Sequence, residues 1–277
     1  MTQAFLDDGH TKYTVLGASG FVGRRIVQML KSSELDCYAP TKGDEEIFER
    51  ELGRVFYCIG LTADHAKKPF DTVEAHVSYL ARVLQNATFD RLVYLSSTRL
   101  YDLSHATLIS ESDGLLLSPG SPRHIYDISK AMGESLCLNT SNGRGSVARL
   151  SCVYDKEKGS SGFLSNLLNK LQLEKSFVLD SKSGFSRDYI FLDDVVASLK
   201  QIIDSGRNEI FNVASGQNVS NQQLVETLNS LGCDIKLRHN SSLQMTPVCN
   251  ISKINDLGIY PITVAEYLES VLDRRIC

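Results

Sequence analysis

The chain has 277 residues and a formal net charge of -4, with 42% hydrophobic and 22% charged residues. This length can bury a large core, and the composition is typical of a folded globular protein rather than a disordered one. The negative charge disfavours binding to nucleic acid, since proteins that bind nucleic acid usually present a positive field to the phosphates. No apolar run approaches the length needed to span a bilayer, so we expect no membrane partner.

The N-terminus and the cysteines are typical of a cytoplasmic protein. The opening residues MTQAFLDDGH have neither the basic start nor the apolar stretch of a signal peptide. The seven cysteines are dispersed, with no Cys-x-x-Cys pair, which favours reduced thiols. The six histidines are equally dispersed and show no metal-ligand spacing, so we expect no metal site.

The first half of the chain alternates short apolar runs with longer amphipathic ones. Strands that are apolar throughout, each followed by a helix, indicate a parallel sheet covered on both faces. The sequence therefore predicts an α/β fold, a Rossmann-type doubly wound parallel sheet. The predicted strands are residues 13–16, 37–39, 54–59, 92–95 and 147–150, and the predicted helices are residues 22–31, 71–85 and 126–139.

After about residue 151 the alternation becomes less regular. We expect the second half to complete the sheet and to form a small C-terminal substrate lobe. The dinucleotide-binding core is accordingly assigned to residues 1–155 and the smaller, substrate-binding part to residues 156–277. Asp193 is expected to cap the helix that follows it. The predicted elements here are helices at residues 163–173, 194–203, 221–231 and 264–272 and a strand at residues 210–213.

A glycine-rich loop, Gly-Ala-Ser-Gly-Phe-Val-Gly, joins the first strand to the first helix. On its own this pattern also suits a glycine-rich turn packed against a helix. In the strand–loop–helix context, glycine lets the backbone approach a pyrophosphate, whose charge then lies at the helix N-terminus. We therefore predict a dinucleotide site. Its binding residues would be Gly17, Ser19, Gly20, Phe21, Val22 and Gly23.

The end of the second strand leaves the choice between NAD and NADP open. An acidic residue for the adenosine ribose is expected there, about 20 residues beyond the loop. The chain has Thr41 and Lys42 instead. Together with Arg24 these side chains could bind the 2′-phosphate of NADP, and they could equally be ordinary surface residues.

Tyr126 and Lys130 lie four residues apart in a predicted helix, so both side chains would share one face. A free phenol has a pKa of about 10, too high for a base near neutrality, and a nearby ammonium would lower that pKa. The pair could therefore perform acid–base chemistry, with the lysine also binding a cofactor ribose. The alternative is an ordinary surface pair, a spacing that often arises by chance.

Ser96, Ser97 and Thr98 follow a strand predicted to be buried. Ligands of open α/β sheets bind at the carboxyl ends of the strands, so a hydroxyl there could hold a substrate beside the phenol. Taken alone, the same residues could be a polar turn at the end of a strand.

Four segments resemble the extended short-chain dehydrogenases, specifically the NAD-dependent epimerase/dehydratase family. The segments are residues 17–23, 95–101, 126–134 and 186–195, in the family's order along most of the chain. The resemblance implies that Tyr126 is the general acid/base and Lys130 its ribose-binding partner. It also implies that Ser97 contacts a substrate hydroxyl and that Gly60 lets the cofactor pass over the third strand.

In members that act on nucleotide sugars, an arginine at the position of Arg187 contacts the substrate diphosphate. The resemblance therefore implies a nucleotide-diphosphate sugar as substrate, bound by Ser97, Thr98, Cys152 and Arg187. The chain also departs from the family, at this site and in the helix predicted at residues 71–85. Cys152 stands where members usually have an asparagine that touches the phosphates, and His76 replaces another usual asparagine.

The resemblance implies hydride transfer at a sugar carbon, with NAD or NADP as cofactor. Dehydration is disfavoured, because sugar dehydratases of the family place an Asp-Glu pair where this chain has Thr98 and Arg99, and arginine cannot replace a carboxylate acid or base. An epimerase is the first expectation and an NADPH-dependent ketoreductase the alternative. A non-catalytic, dinucleotide-binding regulatory protein is a third reading, although it would be expected to lack Tyr126 or Lys130.

Members commonly dimerise through the helix that carries the tyrosine and the helix before it, so a homodimer is expected.

Overall fold

The computed structural model describes residues 11–62, 64–120, 123–157, 162–174, 176–244 and 246–271. These residues form two compact units, each drawn from separate stretches of the chain. The first unit is drawn from Met1–Leu103, Gly114–Leu150 and Val196–Phe211, and the second from Ser104–Asp113, Ser151–Val195 and Asn212–Cys277. The assignment of residues 1–155 to cofactor binding and of residues 156–277 to substrate binding stays a prediction.

Strands and helices alternate through most of the described chain. The strands are β1 (Tyr13–Leu16), β2 (Cys37–Tyr38), β3 (Arg54–Tyr57), β4 (Arg91–Ser97), β5 (Leu108–Ile109), β6 (Gly145–Leu150), β7 (Cys152–Tyr154), β8 (Ser176–Lys182), β9 (Ser186–Phe191), β10 (Ile210–Val213), β11 (Asn218–Ser220), β12 (Asp234–His239) and β13 (Val248–Cys249). The helices are α1 (Phe21–Ser32), α2 (Pro69–Val73), α3 (Tyr79–Asn86), α4 (His124–Thr140), α5 (Phe163–Leu171), α6 (Leu192–Ser205), α7 (Asn221–Ser230), α8 (Ser252–Asn255) and α9 (Val264–Val271). A π-helical turn, Glu74–Ser78, joins α2 to α3 without a break.

The first unit is built on a six-stranded sheet with the order β10-β6-β4-β3-β1-β2. The pairs β1–β2, β1–β3, β3–β4 and β4–β6 are all parallel. After β2 the chain crosses back to the other side of β1, so β1 and β3 flank the topological switch point. Ligands of such sheets bind beyond the carboxyl ends of these strands, which here lead into the glycine loop and to Gly60. The predicted Rossmann-type, doubly wound α/β fold is thus confirmed.

The packing of β3 shows why the strands of this sheet are apolar without alternation. Val55 and Tyr57 face one side of the sheet and Phe56 the other, and all three are completely buried. Val55 and Tyr57 belong to one core cluster with Leu80 and Val83 of α3. Full burial of an apolar side chain of this size contributes about 1.5–3 kcal/mol, so such clusters hold the sheet and its helices together.

The connection between β2 and β3 contains only a short 3-10 helix, Glu45–Phe48. Asp44 caps this helix, because its Oδ1 accepts a hydrogen bond from the Glu46 amide at 3.0 Å. Ile47 is completely buried and anchors the connection to the core. The sheet therefore has only β1 and β2 on this side of the switch point, where the common six-stranded order has three strands.

The helix predicted at residues 71–85 extends beyond both predicted ends and contains the π turn. A π turn shifts the backbone hydrogen-bond register, so carbonyls within it need other partners. The Tyr57 hydroxyl donates to the Ala75 carbonyl at 2.7 Å, and the Tyr94 hydroxyl donates to the His76 carbonyl at 3.2 Å. Two buried tyrosines of the sheet therefore hold the π turn in place.

The second unit contains small sheets that the sequence analysis did not predict. In one, β9 pairs antiparallel with β11 and parallel with β7, and β8–β12 and β5–β13 form parallel pairs. These strands escaped prediction because most are short, and β8 exposes every second residue instead of being apolar throughout. Their core is a separate cluster that includes Tyr154, Leu164, Tyr189, Leu224 and Tyr267.

Two local predictions were wrong. Asp193 does not cap α6, because the helix begins at Leu192 and the carboxylate lies within the first turn. A carboxylate there still interacts favourably with the helix dipole. The expectation of reduced thiols holds for Cys37, Cys58 and Cys137, which are free, whereas Cys233 is disulfide-bonded.

Candidate active site

The glycine loop between β1 and α1 forms a tight backbone cradle. Gly17 has a φ of 85°, which disfavours side chains, and a Cβ there would lie 2.9 Å from the carbonyl carbon of Cys58. A Cβ on Gly23 would overlap the Gly17 carbonyl oxygen. The Gly20 amide donates to the same oxygen at 3.0 Å and closes the turn. The backbone path therefore requires glycine at Gly17 and at Gly23.

The N-terminus of α1 is suited to binding a phosphate. Its N-cap residue, Gly20, has no side chain to bond the first amides, and the first turn contains no acidic residue. Ser19 and Gly20 are exposed, while Phe21 and Val22 are half-buried. Unsatisfied amides and the positive end of the helix dipole attract anions. The loop therefore fits the pyrophosphate of NAD or NADP, and the binding roles of its residues stay predictions.

Thr41 and Lys42 are exposed just beyond the end of β2. Nearby, the Tyr38 hydroxyl donates to Asp44 Oδ2 at 2.8 Å, and the Arg50 guanidinium lies 4.2 Å from the centroid of the Tyr38 ring. This strand end combines cations, which could bind a 2′-phosphate, with a carboxylate, which could bind a ribose hydroxyl. The geometry is therefore compatible with both NAD and NADP.

Tyr126 lies on α4 with only 4% of its surface exposed. Its phenol forms a hydrogen bond with the side chain of Ser97. Burial raises the pKa of Tyr126, and this effect outweighs the Ser97 hydrogen bond and the positive charge of Arg99, which both lower the pKa. The expected net lowering of this pKa was wrong, because burial outweighs the opposing cations, which include Arg99 and Arg123.

Lys130 is buried one turn further along α4. Its Nζ donates to the Leu95 carbonyl at 2.7 Å and lies 4.9 Å from the centroid of the Tyr94 ring. Burial lowers the pKa of Lys130 to about 7, against the opposing charge of Glu134. A Cβ on Gly60 would lie 3.3 Å from Nζ, so the ammonium and the bare backbone beyond β3 border the same space. That arrangement fits a cofactor that passes over Gly60 with a ribose beside Lys130.

The buried ammonium predicts a stability difference that depends on pH. Burial lowers the pKa of Lys130 to about 7 in the folded protein, from an ordinary value of 10.5. Between these values the unfolded chain binds more protons, so the stability that Lys130 contributes rises with pH and is lost as the pH falls to about 7. Between pH 7 and pH 10, the free energy of unfolding of the wild type should therefore rise by roughly 2–4 kcal/mol more than that of K130M. Urea denaturation of both proteins at each pH measures this, and a constant difference would contradict it.

Ser97 is the last residue of β4 and caps a short 3-10 helix, Thr98–Tyr101. Its Oγ accepts a hydrogen bond from the Arg99 amide at 3.2 Å. A hydroxyl that accepts one bond keeps its own proton to donate, so Ser97 can donate to the phenol or to a substrate oxygen. The structure therefore places Ser97 beside Tyr126, as the sequence predicted.

The neighbours of Ser97 make other contacts. Successive side chains of a strand face opposite sides of the sheet, and Ser96 Oγ donates to Glu134 Oε1 at 2.5 Å. Thr98 Oγ1 donates to the Leu150 carbonyl at 3.4 Å. The role of Thr98 in binding substrate stays a prediction.

Three side chains near Tyr126 were not predicted as site residues. The ring centroids of His65 and His76 lie 5.2 and 5.5 Å from that of Tyr126. Arg99 was noted only as the replacement of a carboxylate, yet its charge acts on the phenol. His76 was visible as a departure from the family at a helix position. His65 carried no signal, because it lies in a loop between β3 and α2 that matches no motif.

Cys152 and Arg187 belong to the second unit. Cys152 begins β7, and Arg187 lies on β9, the strand that pairs with it. The Arg187 guanidinium lies 4.8 Å from the centroid of the Phe185 ring. The first unit thus brings together Tyr126, Lys130, Ser97 and Gly60, whereas the diphosphate-binding roles of Cys152 and Arg187 stay predictions.

Other possible sites were sought in the part of the chain that the structure describes. It contains no group of three or more His, Cys, Asp or Glu side chains that could hold a metal ion. None of its helices combines the length and hydropathy needed to cross a membrane. A cavity of about 550 Å³ opens at the amino ends of β1 and β3, lined in part by Lys12, Arg54 and Asp204. It lies at the edge of the sheet opposite to Ser97 and is separate from the candidate site.

Comparison with known proteins extends these observations. The curated dTDP-4-dehydro-6-deoxyglucose reductase of Escherichia coli is 26% identical over 169 residues, which are 58% of this chain and 52% of the relative. The match therefore spans about half the length of that relative.

Solved structures match over nearly the whole chain. UDP-glucose 4-epimerase from Thermotoga maritima, with UDP-glucose, is 18% identical with a TM-score of 0.76, covering 96% of this chain and 98% of that one. RMD from Pseudomonas aeruginosa, complexed with NADPH, is 21% identical with a TM-score of 0.76, covering 95% and 98%. MoeE5, in complex with UDP-glucose and NAD, is 19% identical with a TM-score of 0.77, covering 95% of this chain and 98% of that one. At these identities the structural matches establish the fold.

The family profile covers more of the sequence than the curated relative does. The profile of the NAD dependent epimerase/dehydratase family matches residues 13–214, from β1 to just beyond β10. This range includes the glycine loop, the serine at the end of β4 and the helix with the tyrosine and lysine. The chain therefore belongs to the NAD-dependent epimerase/dehydratase family.

Proposed function

We propose that this protein is an NAD(P)-dependent epimerase that acts on nucleotide-linked sugars. One observation carries the proposal. Tyr126, buried and hydrogen-bonded to Ser97 at the carboxyl end of β4, has Lys130 and Gly60 beside it at the switch point of the sheet. An acid–base group next to a dinucleotide path is the arrangement that hydride exchange at a hydroxyl-bearing carbon requires.

In this proposal the side chains position a sugar hydroxyl and move its proton. Tyr126 takes the proton from the hydroxyl and later returns it. Ser97 forms a hydrogen bond to the same oxygen and thereby fixes its distance from the phenol. The charge of Arg99 favours the phenolate form in a site where burial opposes it. When bound, the nicotinamide supplies hydride exchange at the sugar carbon, and Lys130 would hold its ribose.

The proposed substrate is a nucleotide-diphosphate sugar. The curated relative is named for a dTDP-linked sugar, and two of the similar structures contain UDP-glucose. Arg187 supplies a cation for the diphosphate in this proposal. Cys152 would offer a thiol to the phosphates instead of an amide, which suggests a contact weaker than that of the usual asparagine.

The second candidate function is an NADPH-dependent reduction of a keto sugar. Lys42 and Thr41 at the end of β2 support it, because they could bind a 2′-phosphate. The names of two similar proteins agree, one a reductase and the other complexed with NADPH. A non-catalytic regulatory role is supported less, since Tyr126 and Lys130 are both present and buried.

The bound nucleotide separates these functions. The purified protein is denatured and any released nucleotide is identified by mass spectrometry. Released NAD or NADH favours the epimerase, because an epimerase recycles its cofactor within one turnover. An empty protein that binds NADPH favours the reductase. A protein that carries no dinucleotide and binds neither NADH nor NADPH would contradict both functions.

We also propose that the protein is a homodimer that pairs through α4 and the helix formed by α2, the π turn and α3. Apolar side chains are exposed on these neighbouring helices: Phe70 by 86% and Val73 by 39% on α2, and Met132 by 49% on α4. Exposed apolar side chains on adjacent elements are typical of interfaces.

Replacing Phe70 with glutamate is therefore expected to dissociate the dimer, because it would bury a charge in an apolar interface. Light scattering coupled to size-exclusion chromatography would report a mass near 30.7 kDa, that of one chain, instead of twice that mass. L173E provides the control, since Leu173 is also 86% exposed but lies in the second unit. An F70E protein that stays dimeric would place the interface elsewhere.

A further inference from the structure

The side chain of His76 links two elements of the candidate site. It is completely buried in the π turn between α2 and α3. Its Nε2 lies 3.3 Å from the amide nitrogen of Leu61, in the segment that follows β3. Its Nδ1 lies 2.8 Å from the Oγ of Ser129 on α4, the helix that carries Tyr126.

The partners of His76 fix its tautomer. The Leu61 amide can only donate, so Nε2 must be the unprotonated acceptor. Nδ1 then carries the proton and donates to Ser129 Oγ. The Ser129 hydroxyl in turn donates to the Tyr126 carbonyl at 3.1 Å. The hydrogen bonds therefore run in one direction, from Leu61 through His76 and Ser129 to the backbone of α4.

The charges around the ring keep it neutral. Burial is the largest cause, and together with the charge of Lys130 it lowers the pKa of His76 to about 2. Tyr126 also packs against the ring, and its raised pKa keeps it an uncharged phenol near neutral pH. A neutral imidazole can accept at one nitrogen while it donates at the other, which a charged ring cannot do.

The position of Gly60 explains why the hydrogen bonds of His76 matter for a ligand. A Cβ on Gly60 would lie 3.2 Å from His76 Nε2 and 3.3 Å from Lys130 Nζ. The ring and the ammonium therefore border the same space beyond β3. Any shift of Leu61 or of α4 would change the width of that space, and the hydrogen bonds of His76 join these two walls.

We propose that His76 is a positioning residue whose neutral ring fastens the Gly60 and Leu61 segment to α4, and so sets the space in which the cofactor lies beside Lys130 and Tyr126. This inference rests on the proposed function, because it assigns a dinucleotide to that space. An asparagine, usual in the family at this position, reaches as far as Nδ1 of the ring but not as far as Nε2. The histidine therefore adds a hydrogen bond to Leu61 that the asparagine cannot make.

Three substitutions separate the hydrogen bond to Leu61 from the hydrogen bond to Ser129. H76N keeps a donor for Ser129 and loses the acceptor for Leu61, H76Q does the reverse, and H76L removes both. The dissociation constant is measured by fluorescence titration with NADH or NADPH, whichever the wild type binds. We expect H76N and H76Q each to bind about tenfold more weakly, the effect of one lost hydrogen bond, because either loss unfastens the Leu61 segment from α4, and we expect H76L to bind at least as weakly.

The control is C137A, which alters a completely buried residue of the same helix away from the site. A purely structural role for His76 would lower the melting temperature of its variants, as we expect of C137A, without changing the dissociation constant of the folded protein. An H76L protein that binds with unchanged affinity would overturn the proposal.

A second measurement does not depend on a ligand. Nitrogen-15 NMR of histidine-labelled protein, with H76N to assign the signals, reports the protonation of each ring nitrogen. We expect a neutral His76 protonated on Nδ1 from pH 5 to pH 8, and a ring that titrates in this range or is protonated on Nε2 would overturn the link. If the wild type binds neither NADH nor NADPH, the proposed function fails, and the link is judged by this spectrum alone.

Discussion

Replacing Tyr126 with phenylalanine is expected to lower the turnover number by about 10²–10⁴-fold, the range that a positioned acid–base group contributes. Only the hydroxyl is lost, because the phenyl ring fills the same buried position on α4. Ser97 keeps its hydrogen bond from the Arg99 amide, so the end of β4 should hold its shape. The affinity for the dinucleotide should therefore remain close to that of the wild type.

The experiment compares turnover and cofactor affinity in the same preparations. A panel of nucleotide sugars and their keto derivatives is incubated with the protein and dinucleotide, and the products are identified by mass spectrometry. Y154F is the matched control: Tyr154 is equally buried, lies in the second unit, and its hydroxyl has no hydrogen-bond partner among the described residues. If Y126F turned over substrate as fast as Y154F, Tyr126 would not be the acid–base group.

The pH dependence of turnover in the wild type tests the balance of effects on the phenol. Burial raises the pKa of Tyr126, and the hydrogen bond of Ser97 and the charge of Arg99 act against it. An acid–base group works best with a pKa near the operating pH, so the site must lower this value further when it is loaded. A lowering by Lys130, one turn further along α4, stays a prediction for the loaded site.

The parts of the site that could be predicted from sequence are those set by short-range patterns. Gly17 and Gly23 belong to the glycine pattern of one short loop, and Tyr126 and Lys130 are spaced by one turn of one helix. The chain order of the strands placed Ser97 at the end of β4. Each of these signals is contained in a few consecutive residues, so it survives in the sequence without knowledge of the fold.

The remaining site residues depend on contacts between distant segments. His76 reaches Ser129 over 53 residues of sequence, and His65 meets the Tyr126 ring from a loop without a motif. Tertiary packing brings these residues together, and the hydrophobic periodicity of a sequence does not reveal such contacts. The direction of the shift in the pKa of Tyr126 escaped prediction for the same reason, because burial is a property of the whole fold.

The second unit was harder to predict for a different physical reason. A strand such as β8, with every second residue exposed, lacks the continuous apolar run that marked the strands of the first unit. Short strands such as β11, of three residues, carry too few side chains for any period to be visible. The helices of this region, which are longer and amphipathic, were placed close to their observed positions.

Replacing Glu134 with glutamine is expected to destabilise the protein by about 3–5 kcal/mol. Glu134 forms a buried ion pair with Arg149, with side chains only 5% and 3% exposed and Nη2 2.6 Å from Oε2. A second bond joins Arg149 Nε to Glu134 Oε1 at 2.9 Å, and Arg149 Nη1 donates to the Tyr101 hydroxyl at 2.6 Å. Glutamine keeps the shape but leaves the guanidinium charged and unpaired in the core.

The measurement is urea denaturation of the variants with a matched surface pair as control. Asp180 and Arg238 lie 2.7 Å apart, nearly the same separation as the buried pair, but they are 61% and 54% exposed. D180N should therefore cost about 1 kcal/mol or less, because water already screens the contacts of Asp180 with Arg238 and with His239. An E134Q protein no less stable than D180N would mean that the core network contributes little.

A double variant tests whether the cost comes from the unpaired charge or from the lost attraction. E134L/R149M removes both charges and fills the space with apolar side chains, a change that is often neutral or stabilising for buried pairs. If it is more stable than E134Q, the cost in the single variant is the charge of Arg149 left without a partner. If it is equally unstable, the bonds to Ser96 and Tyr101 matter instead. In the latter case catalysis should fall as well, because Ser96 adjoins Ser97 and holds the end of β4 on which the phenol depends.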